Sequence, residues 1–197
     1  MGKMVALILA GGESKRMNSP KMLLPFNGKT IIEKVIDNVV SSSVNQTIVV
    51  VGAYNDKIVE KIRDYPITYC YNANYKKGMI TSVKCGFRSV PSVCEAVLVF
   101  LGDQPLIPPE IPDRLISTYR LQKKGIVIPV YDSRRGHPIL ISNKYRDEIE
   151  KLDENEGLRM LPIKFPDDIL EVEINDDSIL RDIDTQEDYK NEIDQNH

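Results

Sequence analysis

The chain has 197 residues, 42 % of them hydrophobic, and a formal net charge of −3. That length suits one domain over residues 1–197 with a properly buried core, and the ordinary composition excludes a disordered chain. No apolar run approaches the length of a membrane span, so a membrane is not an expected partner. A nucleic acid is not expected either.

The first apolar run, Met4 to Ala10, is too short for a signal-peptide core and leads straight into a basic loop. It reads as a buried strand over 4–10. The Met-Gly-Lys-Met-Val-Ala start lacks the hydroxyl residue of a myristoylation site. Gly11 and Gly12 follow the strand, then Ser14, Lys15, Arg16 and Lys21. Glycines let the backbone approach a ligand, and consecutive N–H groups in such a turn cradle an anion. A triphosphate at the carboxyl end of a parallel strand needs this kind of loop, although a basic surface loop after a core strand is the plainer alternative.

Gly28-Lys29-Thr30 is not a P-loop, because Leu23 stands where that motif needs its first glycine. It reads as a turn into a helix over 31–42, whose Ile31, Ile32, Val35, Ile36, Val39 and Val40 recur at helical spacing. A β-branched strand over 46–51 ends at Gly52; a helix over 55–64 and a short strand over 67–71 come next. Gly78 to Arg88 reads as a helix, and Ala96 to Leu101 as a buried strand that stops at Gly102-Asp103. Pro108 and Pro109 open another helix. Strands are expected over 125–130 and 138–141, helices over 144–151 and 156–161, and short strands over 169–174 and 179–183. A last helix starts near Thr185, and Asp194 to His197 are expected to fray. Strands alternating with helices predict an open, mostly parallel α/β sheet. Cys70, Cys85 and Cys94 show no metal-type spacing and read as reduced, small core residues of a cytoplasmic protein.

Charge is divided along the chain. Residues 1–90 carry 13 Lys and Arg against 6 Asp and Glu, and residues 91–197 carry 13 against 23. An anion gripped by the first part and a metal held by the second would fit this split, as would solvated faces. Asp103 follows a buried strand and belongs at the same sheet edge as the glycine loop. Alone it reads as a turn aspartate before proline; beside that loop it reads as a Mg²⁺ ligand, since Mg²⁺ takes a few carboxylates plus substrate phosphates. Asp184 or Thr185 reads as a helix N-cap. Asp182 and Asp184 share a face if 179–183 is a strand, with Asp184 at its end.

Leu9, Ala10, Gly11, Gly12, Ser14, Arg16, Met17, Lys21, Leu23, Leu24 and Pro25 together resemble the LAGGxSxRM…K…LLP signature of nucleotidyltransferases. The resemblance runs from Ala6 to Tyr189 and points to the molybdenum cofactor nucleotidyltransferases, cytidylyltransferase branch. It implies a three-layer, Rossmann-like α/β fold. It implies Mg²⁺-dependent transfer of CMP from CTP to the phosphate of molybdopterin or molybdenum cofactor, with release of pyrophosphate. Arg16, Lys21 and Asp103 are then catalytic, and Asp103 and Asp184 hold the metal. Asn72, Gly78 and Ser82, in a segment like N-x-x-x-x-x-GMxxSL, join residues 9–12, Ser14, Arg16 and Lys21 around the nucleotide. Gly136-His137-Pro138 and Gly157-Leu158-Arg159 belong to the acceptor side, with His137 and Arg159 as its contacts and His137 not a general base. An apo-molybdoenzyme of the hydroxylase type is the implied recipient. Ala10-Gly11-Gly12 follows the guanylyltransferase style, which leaves GTP open. A sugar- or polyol-phosphate transferase and a non-catalytic nucleotide-binding module are the other readings.

Overall fold

The computed structural model describes residues 2–17, 19–154 and 157–194. The expected fraying of 195–197 and the first residue of the helix expected over 156–161 lie outside the described residues. Strand β1 (Lys3–Ala10) carries an unbroken apolar run. The hairpin β2 (Pro25–Phe26) and β3 (Lys29–Thr30) turns at Asn27 and Gly28, both at positive φ. Helix α1 (Ile31–Val40) opens with a capping box, Thr30 to Glu33 and back. Next come β4 (Gln46–Val51), α2 (Asn55–Ile62), β5 (Thr68–Tyr71), α3 (Met79–Ser89) and β6 (Cys94–Leu101). The remainder is α4 (Glu110–Gln122), β7 (Ile126–Tyr131), β8 (Arg134–Arg135), β9 (Ile139–Ser142), α5 (Arg146–Lys151), α6 (Met160–Lys164), β10 (Ile169–Glu173) and α7 (Gln186–Asp194).

The strands form one sheet in the order β10-β7-β9-β6-β1-β4-β5, with β8 on β7. Neighbours β6, β1, β4 and β5 are parallel; β9 runs antiparallel to both β6 and β7. The alternation of β1 divides the core between the two faces. Met4, Ala6, Ile8 and Ala10 pack with residues of α1, α2 and α4. Val5, Leu7 and Leu9 pack with Ile80, Val83 and Phe87 of α3 and with Ile149 and Leu161 beyond it. The result is the expected three-layer α/β architecture.

The chain moves outward from β1 through β4 to β5, then returns to the other side of β1 for β6. This reversal makes β1 the switch point, and ligands of open α/β sheets bind at the carboxyl ends of strands there. A third cluster, Met17, Phe26, Ile31 and Ile183, anchors both the basic loop and the final segment at that edge. Tyr189 donates to the Pro25 carbonyl at 2.6 Å and Gln186 to the Met17 carbonyl at 3.2 Å, which clamps α7 over the loop.

Some expected elements differ. Residues 179–183 are not a strand: a 3-10 turn covers Asp177–Leu180, started by the Asp176 carboxylate accepting from the Ser178 N–H at 2.9 Å. That local bond competes with a ladder. The helix after Pro108 begins at Glu110, with Pro109 as its N-cap. The helical turn expected over 156–161 is displaced to Met160–Lys164. Of the cysteines, only Cys94 is a buried core residue; Cys70 and Cys85 are half-buried, with their sulfurs 3.7 Å apart.

Candidate nucleotide site

The cavity at the switch point has a volume of about 380 Å³. Its wall includes Leu9, Gly11 and Gly12 from the end of β1, Arg16 and Lys21 from the loop, and Gly78, Met79 and Ser82 from the start of α3. Leu101 and Asp103 come from the end of β6, and Asp182 and Asp184 from the segment before α7. Parallel pairing sets this convergence, because Leu9 lies level with Leu101 and Ala10 with Val51.

Contact distance constrains Gly11 and leaves Gly12 open. A Cβ on Gly11 would stand 3.2 Å from the Ser82 hydroxyl, and one on Gly12 would meet nothing within 4 Å. Ser14 sits at φ +52, and its hydroxyl accepts from the Lys21 N–H at 3.2 Å, closing the loop on itself. Gly78 sits at φ +105 as the N-cap of α3, with no side-chain cap on that helix start. The first-turn N–H groups of a helix without a cap remain available to an anion.

Lys21 is buried, with its ammonium 2.5 Å from Asp103 and 2.6 Å from Asp184. Burial pulls its pKa down, but the two carboxylates outweigh burial and leave it above the ordinary lysine value. Arg16, largely exposed, donates to the other oxygen of Asp184 at 2.5 Å. Burial pushes the Asp184 carboxyl up, and the bonds from Lys21 and Arg16 more than reverse it. Asp184 is free for these contacts because the cap of α7 is made next door. Thr185 Oγ accepts from the Asp188 N–H, and the Asp188 carboxylate accepts from the N–H groups of Thr185 and Asp184. Asp182 lines the same cavity, with its carboxyl raised by burial and then by the charge of Asp103.

Among the described residues no group of three or more His, Cys, Asp or Glu is arranged to hold a metal by itself. The carboxylates nevertheless suit a hard cation. Asp103 Oδ1 is buried without a hydrogen-bond partner among the described atoms, and the space between Asp103 and Asp184 already holds a cationic group, the ammonium of Lys21. Two carboxylates completed by substrate phosphates and water make a common Mg²⁺ set.

Not every residue singled out from the sequence reaches this cavity. Ala10 is wholly buried in the core beside it. Asn72 lies behind the wall: its amide donates to Thr81 at 2.8 Å and to Ser82 at 3.0 Å, so it holds Ser82 in place. His137 and Arg159 do come together, in a neighbouring cavity of about 460 Å³ lined also by Ile80, Val99, Ile139, Glu154, Gly157 and Leu158. Met79 belongs to both cavities. His137 is half-buried, with its pKa lowered to about 4 by burial, and its peptide bond to Pro138 is cis. Sequence reasoning missed Gly52 and Tyr75. A Cβ on Gly52 would come within 2.6 Å of the Tyr75 Cβ, so this glycine makes room for the ring that lines the cavity. The glycine at the end of a β-branched strand was the available signal.

A family model described as the MobA-like NTP transferase domain matches residues 6–165. The chain is 30 % identical over 190 residues to the molybdenum cofactor cytidylyltransferase of Escherichia coli K12, covering 96 % of this chain and 95 % of that protein. It is 30 % identical over 204 residues to a probable molybdenum cofactor guanylyltransferase of Methanosarcina mazei, covering 95 % of this chain and 89 % of that protein. Among solved structures, Rv0371c of Mycobacterium tuberculosis H37Rv superposes with a TM-score of 0.88 at 22 % identity, covering 98 % of each chain. A complex of Rv0371c with manganese superposes at 0.77 with 21 % identity, again over 98 % of each chain. These structural likenesses bear on the fold.

Proposed function

The chain belongs to the MobA-like NTP transferase family, and from that premise we propose that it transfers CMP from CTP to the phosphate of molybdopterin or its molybdenum form, releasing pyrophosphate. The observation that carries the reading is the meeting of the glycine loop, Lys21, Asp103 and Asp184 on one cavity at the carboxyl ends of β1 and β6. The cytidylyltransferase and guanylyltransferase relatives support the cofactor as acceptor.

In this reading the loop from Leu9 to Arg16 and the open start of α3 at Gly78 bind the triphosphate. Ser82, steadied by Asn72, faces the nucleoside beside Gly11. Arg16 and Lys21 neutralise charge that develops as the acceptor phosphate attacks the α-phosphorus in line and pyrophosphate departs. A phosphate monoester is already anionic at neutral pH, so no general base is needed, in keeping with the neutral His137. Asp103 and Asp184 would hold a divalent cation, Mg²⁺ in this proposal, which would supply further neutralisation and orient the phosphates. Asp182 adds negative charge beside them. The neighbouring cavity, mostly apolar with Arg159 and His137 at its wall, receives the pterin.

Guanylyl transfer is the second reading, and Gly11 favours it: a position without a side chain beside Ser82 leaves room for a purine. The deciding experiment is pyrophosphate release from each of the four nucleotides with Mg²⁺, with and without molybdopterin. Release from CTP that depends on molybdopterin is expected. GTP turned over ten times faster or better would replace the cytidylyl reading, and release with a sugar phosphate but not with molybdopterin would replace the acceptor.

A further inference from the structure

Cys70 is on β5 and Cys85 on α3, and the two sulfurs lie 3.7 Å apart. Both residues are half-buried, whereas Cys94 is buried. The Cys85 thiol is positioned to donate to the Cys70 sulfur, and alternatively to the Tyr71 carbonyl at 3.5 Å.

We propose that Cys70 and Cys85 are a redox pair that closes to an intramolecular disulfide by exchange with a low-molecular-weight disulfide, and that closure alters the nucleotide-binding wall. The Cys70 thiolate attacks one sulfur of the small disulfide and expels a thiolate, leaving a mixed disulfide on Cys70. The Cys85 thiol then gives up its proton, attacks the Cys70 sulfur and expels the second thiolate. Two protein thiols are oxidised, one small disulfide is reduced to two thiols, and the two protons pass to the leaving groups. Proximity gives Cys85 the second step, since its sulfur lies 3.7 Å from the one captured. Burial, and then the neighbouring Cys70, push its pKa up to about 12, and capture of Cys70 as a mixed disulfide removes the second of these causes.

The two segments that carry the sulfurs also carry the cavity wall. Asn72, two residues beyond Cys70, donates to Thr81 and Ser82, and Ser82 lies three residues before Cys85 on α3. The sulfur pair and the amide–hydroxyl bonds are thus rungs between the same strand end and the same helix. A disulfide needs its sulfurs at about 2.05 Å, so closure must change the spacing of strand and helix or the rotamers between them. This second part rests on the nucleotidyltransferase reading; disulfide formation itself does not.

The test incubates the full-length reduced protein with oxidised glutathione, followed by intact mass, non-reducing peptide mapping, thermal melting and NTP kinetics. Expected is a loss of two hydrogen masses, a Cys70–Cys85 cross-linked peptide and a raised melting temperature. The KM for nucleotide should rise severalfold with kcat largely kept, all reversed by dithiothreitol. Cys94→Ser should behave as wild type, Cys85→Ser should stop at a glutathione adduct on Cys70, and Cys70→Ser should stay unmodified. A persistent glutathione adduct on the wild type, or unmodified thiols, would overturn the pair. A mapped disulfide with unchanged KM in an enzyme active toward NTP would overturn the coupling to the wall. A mapped disulfide in a protein without turnover would overturn the transferase reading and leave the pair standing.

Discussion

The ammonium of Lys21 lies 2.5 Å from a carboxylate oxygen of Asp103, on a chain segment 82 residues away, and also bonds Asp184 at 2.6 Å. A lysine between two aspartates holds the place of a cation, so in the proposed reaction metal and lysine compete for the same oxygens until the nucleotide offers Lys21 its phosphates. Lys21→Met should therefore bind Mn²⁺ more tightly than wild type without nucleotide, read as loss of the free-ion electron paramagnetic resonance signal. The variant should melt earlier than wild type, because a partly buried carboxylate pair without its cation is destabilised by several kcal/mol, and Mn²⁺ should restore it by mass action. Its kcat should fall about 100-fold with a smaller change in KM. Equal Mn²⁺ affinity in both proteins would rule out the competition.

Asp103→Ala should remove turnover and keep the fold. Among the described residues the carboxylate bonds Lys21 alone, while its backbone carbonyl accepts the Ile183 N–H at 3.0 Å whatever the side chain. Steady-state pyrophosphate release and far-ultraviolet circular dichroism check this together. Near-normal turnover at low Mg²⁺ with a native spectrum would remove Asp103 from the metal assignment.

What the sequence disclosed follows from how local each signal was. The even and odd residues of β1 separate onto two faces, and Thr30 with Glu33 marks the start of α1; both are readable within a few residues. The loop and Asp103 could be assigned to one sheet edge because parallel strands with crossover helices leave no other arrangement for their carboxyl ends. Asp184 was readable through the resemblance, but its access to Lys21 depends on Ile183 burying against Met17 and Phe26, a contact no local pattern encodes. The proximity of Cys70 to Cys85 likewise needs the pairing of β5 with β4 under α3. Asn72 was assigned to the nucleotide through the resemblance of its segment; that its amide spans to the Thr81 and Ser82 hydroxyls depends on how β5 meets α3, which no local pattern encodes.

Stability should fall with acid through His137. Burial lowers its folded pKa to about 4 from an ordinary 6.5, so between those values the unfolded chain binds more protons than the folded one. Its contribution is complete above pH 6.5 and is lost as pH falls towards 4. The difference is worth at most about 3 kcal/mol, less with the screening a half-buried ring receives. Glu154 and Arg159 line the same cavity and add their own charge to that environment. His137→Gln should flatten the acid limb of the melting temperature between pH 6.5 and 4 relative to wild type. An unaltered limb would show that His137 does not govern it.

Base choice should respond to the contact between Gly11 and Ser82. An added methyl at Gly11 would stand 3.2 Å from the Ser82 hydroxyl and 3.5 Å from the Gly52 nitrogen, tight on the side chain and ordinary on the backbone. Gly11 is not at positive φ, so alanine brings crowding without backbone strain. Ser82 is held by Asn72 and cannot retreat without loosening that bond. Gly11→Ala should therefore narrow the nucleoside corner and move selectivity toward CTP, roughly tenfold in the ratio of kcat/KM for CTP over GTP, since one methylene in a fitted pocket is worth about 1–3 kcal/mol. Adding Ser82→Ala should relieve the crowding and return much of the change. If Gly11→Ala lowers both nucleotides equally, the methyl acts on the shared triphosphate, and the corner beside Ser82 does not read the base.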